Sequence, residues 1–305
     1  MKKQIQQLTS AQFDKQFPDE SACRAYLQSN RWPEGVRCPR CDNENICSLS
    51  TMPCKWECSA CAEGNSHRFS VLVGTIFENT NKPLRDWFRV MHMMLTSKKG
   101  ISALQIFRVM GFGSYNTAHL MCSKIRIALG NAEFKKLMGV VEVDETFVGG
   151  KAKNRHKDKR GGSSGNGGPG ATGGSGKAIV IGAVRRGGNV VARVINSTSA
   201  TVLTKFVREA VSHKVSLLCT DSWVGYAKLG REFPHYFVDY SRGEYVVGAV
   251  HTNTIEEFWS IVKRGIVGTF HKVSSHYLPL YVNEFQFRYN NRKNEDIFGA
   301  AVRAC

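Results

Sequence analysis

Two matched pairs of cysteines, Cys38-x2-Cys41 and Cys58-x2-Cys61, limit the early part of this chain more than any other feature. Sixteen residues separate the pairs, the spacing of a four-cysteine zinc ribbon. Each pair lies in turn-forming sequence, Cys38-Pro39-Arg40-Cys41 and Cys58-Ser59-Ala60-Cys61, so two thiolates from each knuckle can converge on one tetrahedral ion. The alternative is unpaired thiols in a small loop-rich region. Cys47 and Cys54 lie between the knuckles without a CxxC partner and are read as bystanders. Cys23, Cys122, Cys219 and Cys305 are isolated, and an isolated thiol is more often a small buried apolar group than a nucleophile.

Charge narrows the partner. Forty-two Lys and Arg against 25 Asp and Glu give a formal net charge of +17, which favours a polyanion and salt-sensitive association. A basic amphipathic helix would serve an anionic membrane surface, but the positive charge here is spread through the chain. Nucleic acid is the expected partner. The basic start Met1-Lys2-Lys3-Gln4-Ile5 has no apolar segment behind it, so no secretory signal is expected. Apolar runs such as Met91 to Leu95 fall well short of the roughly 18 residues of a membrane span.

Periodicity divides the chain into three regions. Residues 1–80 hold a short helix opened by Pro18-Asp19-Glu20-Ser21 and then the ribbon. Residues 81–135 are helical. Leu84, Trp87, Phe88, Met91 and Met94 recur at helical spacing after Pro83, and two further helices, Ile101 to Met110 and Tyr115 to about Leu129, flank a glycine-containing turn. This pair is either a helix-turn-helix, whose second helix would carry Tyr115, Asn116, His119 and Lys124 towards DNA, or an ordinary helical hairpin. From 136 to 305 the pattern becomes α/β. Strands are predicted at Val140 to Val148, Ala178 to Val184, Val190 to Ile195, Val215 to Thr220 and Tyr236 to Tyr240, with helices at Thr201 to Val211 and Thr254 to Val267. An insert at 151–176 separates the first two strands. Its first part is basic and its second, 161–176, is glycine-rich and expected to be a linker.

Carboxylates carry the chemistry. Glu142, Asp144 and Glu145 cluster on the first strand, and alternation puts Glu142, Asp144 and Thr146 on one face, leaving open which acid is functional. Asp221 follows the apolar run Val215-Ser216-Leu217-Leu218-Cys219-Thr220, at the carboxyl end of a strand, where open α/β sheets place their sites. In the last helix the stripe Ile255, Phe258, Trp259, Val262 and Ile266 leaves Glu256 on its flank and Glu257 nearly opposite. Lys263, two turns on, projects along the flank of Glu256, towards DNA or simply solvent. Three acids converging in this way would hold two divalent ions roughly 4 Å apart for phosphodiester chemistry. Hard oxygen ligands favour Mg2+ or Mn2+ there, whereas the thiolates favour Zn2+.

The segments Val143-Asp144-Glu145-Thr146-Phe147-Val148-Gly149-Gly150-Lys151 and His251-Thr252-Asn253-Thr254-Ile255-Glu256, through Trp259-Ser260 and Lys263-Arg264-Gly265, resemble bacterial insertion-sequence transposases of the zinc-ribbon ISXO type. Arg31-Trp32-Pro33, Gly74-Thr75-Ile76-Phe77 and Phe285-Gln286-Phe287-Arg288-Tyr289-Asn290-Asn291-Arg292 extend the resemblance over nearly the whole chain. It implies an RNase H-like core, a mixed sheet with flanking helices. It also implies a metal-binding triad carried to Asp144, Asp221 and Glu256, with Asn253 as support. The expected partners are the element's terminal inverted repeats and target DNA, with a homodimer or larger assembly at synapsis. The expected location is the cytoplasm, on the nucleoid. A domesticated DNA-binding regulator and a nuclease with the same core are the competing readings.

Overall fold

The computed structural model describes residues 8–61, 67–131, 135–149, 177–238 and 250–305. The insert 151–176 and its basic part lie outside these residues. In chain order come α1 (Ser10–Gln16), α2 (Glu20–Arg31), β1 (Cys47–Ser48), β2 (Lys55–Cys58), β3 (His67–Ser70), α3 (Leu84–Thr96), α4 (Ala103–Met110) and α5 (Tyr115–Gly130). There follow β4 (Leu137–Val148), β5 (Ala178–Arg185), β6 (Val190–Ile195), α6 (Ala200–Ala210), β7 (Val211–Asp221), a 3-10 helix (Val224–Arg231), β8 (His235–Val238), α7 (Asn253–Gly268), α8 (Leu278–Asn290) and α9 (Ile297–Arg303). Contacts divide the chain into two compact units, 1–132 with 291–305, and 133–290.

In the first unit every helix but α3 starts on a side-chain cap. Thr9 and Gln12 form a capping box at α1, the Asp19 carboxylate accepts the Ala22 N–H at α2, and the Ser102 hydroxyl accepts the Gln105 N–H at α4. Helix α4 stops at Gly111, whose left-handed backbone (φ 64°) lets its N–H return to the Phe107 carbonyl. The stripe predicted on α3 is buried throughout. Its Phe88 joins Phe17 and Phe298 in an aromatic cluster, with ring centroids 5.2 to 5.5 Å apart. Phe298 belongs to α9, so the C-terminal segment folds with the helical region and not with the sheet that precedes it.

The second unit is a five-stranded mixed sheet of order β6-β5-β4-β7-β8. The β4–β5 and β5–β6 pairs are antiparallel, whereas β4–β7 and β7–β8 are parallel. Helix α6 covers one face over Val141, Val143, Ile181, Ala183 and Leu218. Helices α7 and α8 cover the other over Val180, Val184, Val190 and Ala192. The period of two along β4 and β5 explains the division, since successive side chains point to opposite layers. The result is the helix-flanked mixed sheet of an RNase H-like core. Its edge strand β6 is closed by α8. The Gln286 side chain accepts the Ala192 N–H, and the Asn290 amide both accepts from and donates to the Val190 backbone. Such cover leaves those amides unavailable to another strand. Among the described residues no helix is long and apolar enough to cross a membrane.

Candidate active site

Strand β4 delivers Asp144 to the face under α7, because Val141 and Val143 occupy the α6 face and the intervening residues must point the other way. The indole Nε1 of Trp259 on α7 donates to Asp144 Oδ2 at 3.1 Å. This contact needs a close approach of helix to sheet, and Gly182, the register partner of Asp144 on β5, permits it. A Cβ at Gly182 would stand 2.7 Å from the Trp259 ring and 3.1 Å from Ile255 Cδ1. Gly182→Val is therefore expected to push α7 off the sheet and cost about 1–3 kcal/mol or more by overpacking. Urea denaturation of the variant checks it; an unchanged midpoint would show that the ring moves aside freely.

Asp221 ends β7. The parallel register pairs Glu142 with Cys219, and two further steps along each strand bring Asp144 level with Asp221. The Trp223 N–H donates to Asp221 Oδ1 at 3.2 Å, a turn of the Asx kind, so Asp221 is not the N-cap of the helix that follows. Glu256 comes from the first turn of α7 and accepts the Thr252 hydroxyl at 3.1 Å. Asp144, Glu145, Thr146, Glu256, Trp259, Ser260, Lys263 and Arg264 line one open cavity of about 470 Å³. Lys263 and Glu256 share it, as helical spacing predicts, and both are exposed. The stripe Ile255, Phe258, Trp259, Val262 and Ile266 is buried.

Electrostatics links the three acids. Burial, then the neighbouring carboxylates Glu145, Asp221 and Glu256, push the Asp144 pKa up to about 7. Burial also raises Asp221. A nearby cation would favour the ionised form of both Asp144 and Asp221. Glu145 belongs to the opposite layer, where the Tyr226 hydroxyl donates to it at 2.5 Å.

The sequence offered Glu142 as one of three candidate acids on this strand and gave it no role of its own. It is fully buried, and its carboxylate receives the Thr254 and Ile255 backbone N–H groups and the Arg186 guanidinium. The available signal was its place on the same face as Asp144, an acid where a buried strand should carry an apolar residue. Asn253, the expected support, opens α7 as an exposed residue.

In the first unit Cys38, Cys41, Cys58 and Cys61 bring their sulfurs within 4.8 Å of one another, while Cys47 and Cys54 stay outside the group. The Cys38–Cys61 and Cys41–Cys58 separations are 3.7 and 3.6 Å. A tetrahedron with Zn–S bonds of 2.3 Å has an edge of about 3.8 Å, so four thiolates placed this way fit one zinc ion. On α5, Tyr115 and Asn116 are exposed. Lys124 instead donates to the Ile76 carbonyl at 3.4 Å.

Comparison with known proteins bears on both sites. A family model described as ISXO2-like transposase domain matches residues 136–290, and one described as transposase zinc-ribbon domain matches 18–63. An uncharacterised protein of the transposable element ISH50 from Halobacterium salinarum is 28% identical over 279 residues, covering 90% of this chain and 92% of that one. The solved intasome of simian T-cell lymphotropic virus in complex with the PP2A regulatory subunit B56 gamma aligns over 66% of this chain and 65% of its own, at 10% identity and a TM-score of 0.29.

Proposed function

The chain belongs to the family of ISXO2-like transposases, and we propose that it binds the ends of an insertion sequence, cuts them and transfers the freed strands into target DNA. The observation that carries this reading is the cavity that gathers Asp144 and Glu256 with Lys263 and Arg264, beside Asp221 at the neighbouring strand end. Asp144, Asp221 and Glu256 would hold a pair of Mg2+ or Mn2+ ions, which when bound activate an attacking oxygen and stabilise the leaving one. Lys263 and Arg264 supply positive charge where a scissile phosphate would lie. Asn253, the exposed first residue of α7, would contact the DNA strand on this reading. The ribbon and the exposed start of α5 are assigned to recognition of the element's ends, with two or more copies of the chain bridging the two ends.

The test is a plasmid carrying the flanks of the gene, incubated with protein and Mg2+. Cleavage at the ends followed by joining to a second DNA is the expected result. Cleavage without joining would favour a nuclease, and binding without cleavage a regulator.

The crowding of acids gives a second expectation. Asp144 titrates in the fold near 7 and in an unfolded chain near 3.9, so over that window the folded state holds the extra proton. Stability of the metal-free protein should therefore fall as pH rises from about 4 to about 7 on this group's account. Mg2+ offsets the repulsion only where the acid is ionised. The rise in Tm on adding Mg2+ should be larger at about pH 8 than at about pH 5; a rise independent of pH would count against ion binding at Asp144.

A further inference from the structure

Helix α7 is capped from outside itself. Its N-cap residue, Thr252, makes no side-chain bond to the helix backbone and gives its hydroxyl to Glu256. The first-turn amides go instead to Glu142, two residues before Asp144 on the same face of β4: Oε2 accepts the N–H groups of Thr254 at 2.7 Å and Ile255 at 3.0 Å. Oε1 accepts the Thr254 hydroxyl at 2.9 Å and Arg186 Nε at 2.6 Å. Arg186 extends the link, with Nη2 donating to the His251 carbonyl at 3.0 Å and lying 3.8 Å from Cys219 Sγ, two residues before Asp221. A fully buried carboxylate is stable here because it meets the positive end of a helix and a guanidinium together.

We propose that Glu142 is the positioning residue that sets the spacing of the three acids. It ties the first turn of α7, which carries Glu256, to the strand that carries Asp144, and through Arg186 to the strand that carries Asp221. The proposal rests on the triad reading above. Glu142 itself touches neither DNA nor metal, since the helix start encloses it. Loosening it lets Glu256 move relative to Asp144, so the affinity of the site for a divalent ion falls while the affinity of the protein for DNA stays.

The experiment uses the full chain with Glu142→Gln and Thr254→Val. Two quantities are read: the Mg2+ midpoint of cleavage at saturating end DNA, and the Tm shift on adding MgCl2 without DNA. Glu142→Gln should raise the midpoint roughly 10- to 100-fold, the range for partners that orient metal ligands, and shrink the Tm shift. Excess Mg2+ should restore part of the cleavage. Thr254→Val, which removes one of the four hydrogen bonds and leaves the contact of His251 Nδ1 with Oε1 at 3.2 Å, should move both readouts the same way by less. A wild-type midpoint and Tm shift in Glu142→Gln overturns the proposal. If that variant shows no cooperative melt, Thr254→Val decides, and an unchanged midpoint there overturns it. Asp144→Ala is run alongside: cleavage by Asp144→Ala defeats the triad reading itself, which separates the two failures.

Discussion

Asp144→Ala, Asp221→Ala and Glu256→Ala are each expected to lower cleavage of end DNA by on the order of 10³-fold or more. Metal-assisted stabilisation of a phosphoryl transition state is worth several kcal/mol, and each 1.36 kcal/mol is tenfold in rate. Removal of any one acid leaves an incomplete donor set, so the three losses should be of similar size and should not multiply when combined. Binding of end DNA, assigned to other surfaces, should persist in a gel-shift assay. One further result separates an active-site role from damage to the fold. Burial, and after it the neighbouring carboxylates, push Asp144 up to about 7, so Asp144→Asn should raise the metal-free Tm at about pH 8 while abolishing cleavage. The asparagine keeps an acceptor for Trp259 Nε1, so the packing of α7 is retained. An Asp144→Asn protein that is both inactive and less stable would point to a structural part for this acid.

The second large effect concerns the ribbon. Its strands are two to four residues long, and its apolar content is a small group centred on Trp32, Trp56 and Phe69, with ring centroids 5.5 to 6.2 Å apart. So small a cluster cannot hold a fold against chain entropy. Zinc binding, at roughly 10–16 kcal/mol in zinc-finger peptides, exceeds anything else available to it. Cys58→Ser is therefore expected to remove the metal, unfold the ribbon and weaken end-DNA binding by at least about 100-fold. Zinc content per chain, read with a colorimetric chelator, should fall from one to none, and Trp56 emission should shift to the red. Cys47→Ser and Cys54→Ser should keep the zinc. If Cys58→Ser retains one zinc, the four-thiol assignment is wrong.

How much of this was legible in the sequence depended on whether a residue's neighbours in the chain are also its neighbours in space. The cysteine knuckles, the strands β4 to β7 and the stripe of α7 all obey short periods, and each was placed to within a few residues; the expected strand Tyr236 to Tyr240 overlaps β8, and its last two residues lie outside the described residues. Helix α8 left no such mark. Glu284 is fully buried, and Gln286 and Asn290 serve the edge of β6; these polar residues interrupt the apolar repeat from which a helix is read. Helix α9 belongs to an aromatic cluster whose other members lie more than 200 residues away, and no local pattern announces that. Among the acids, periodicity put Asp144 and Glu142 on one face and could go no further. Their surroundings differ because the start of α7 lies over Glu142 while the cavity opens at Asp144.

The pairing at the end of the β4–β5 hairpin has a consequence for engineering. Val148 and Ala178 are register partners, so the chain leaves the sheet and re-enters it at adjacent positions. Closing a segment between two fixed points costs free energy that grows only with the logarithm of its length, about 0.6 kcal/mol per doubling. On loop closure alone, a change in the number of residues joining Val148 to Ala178 therefore costs the sheet little.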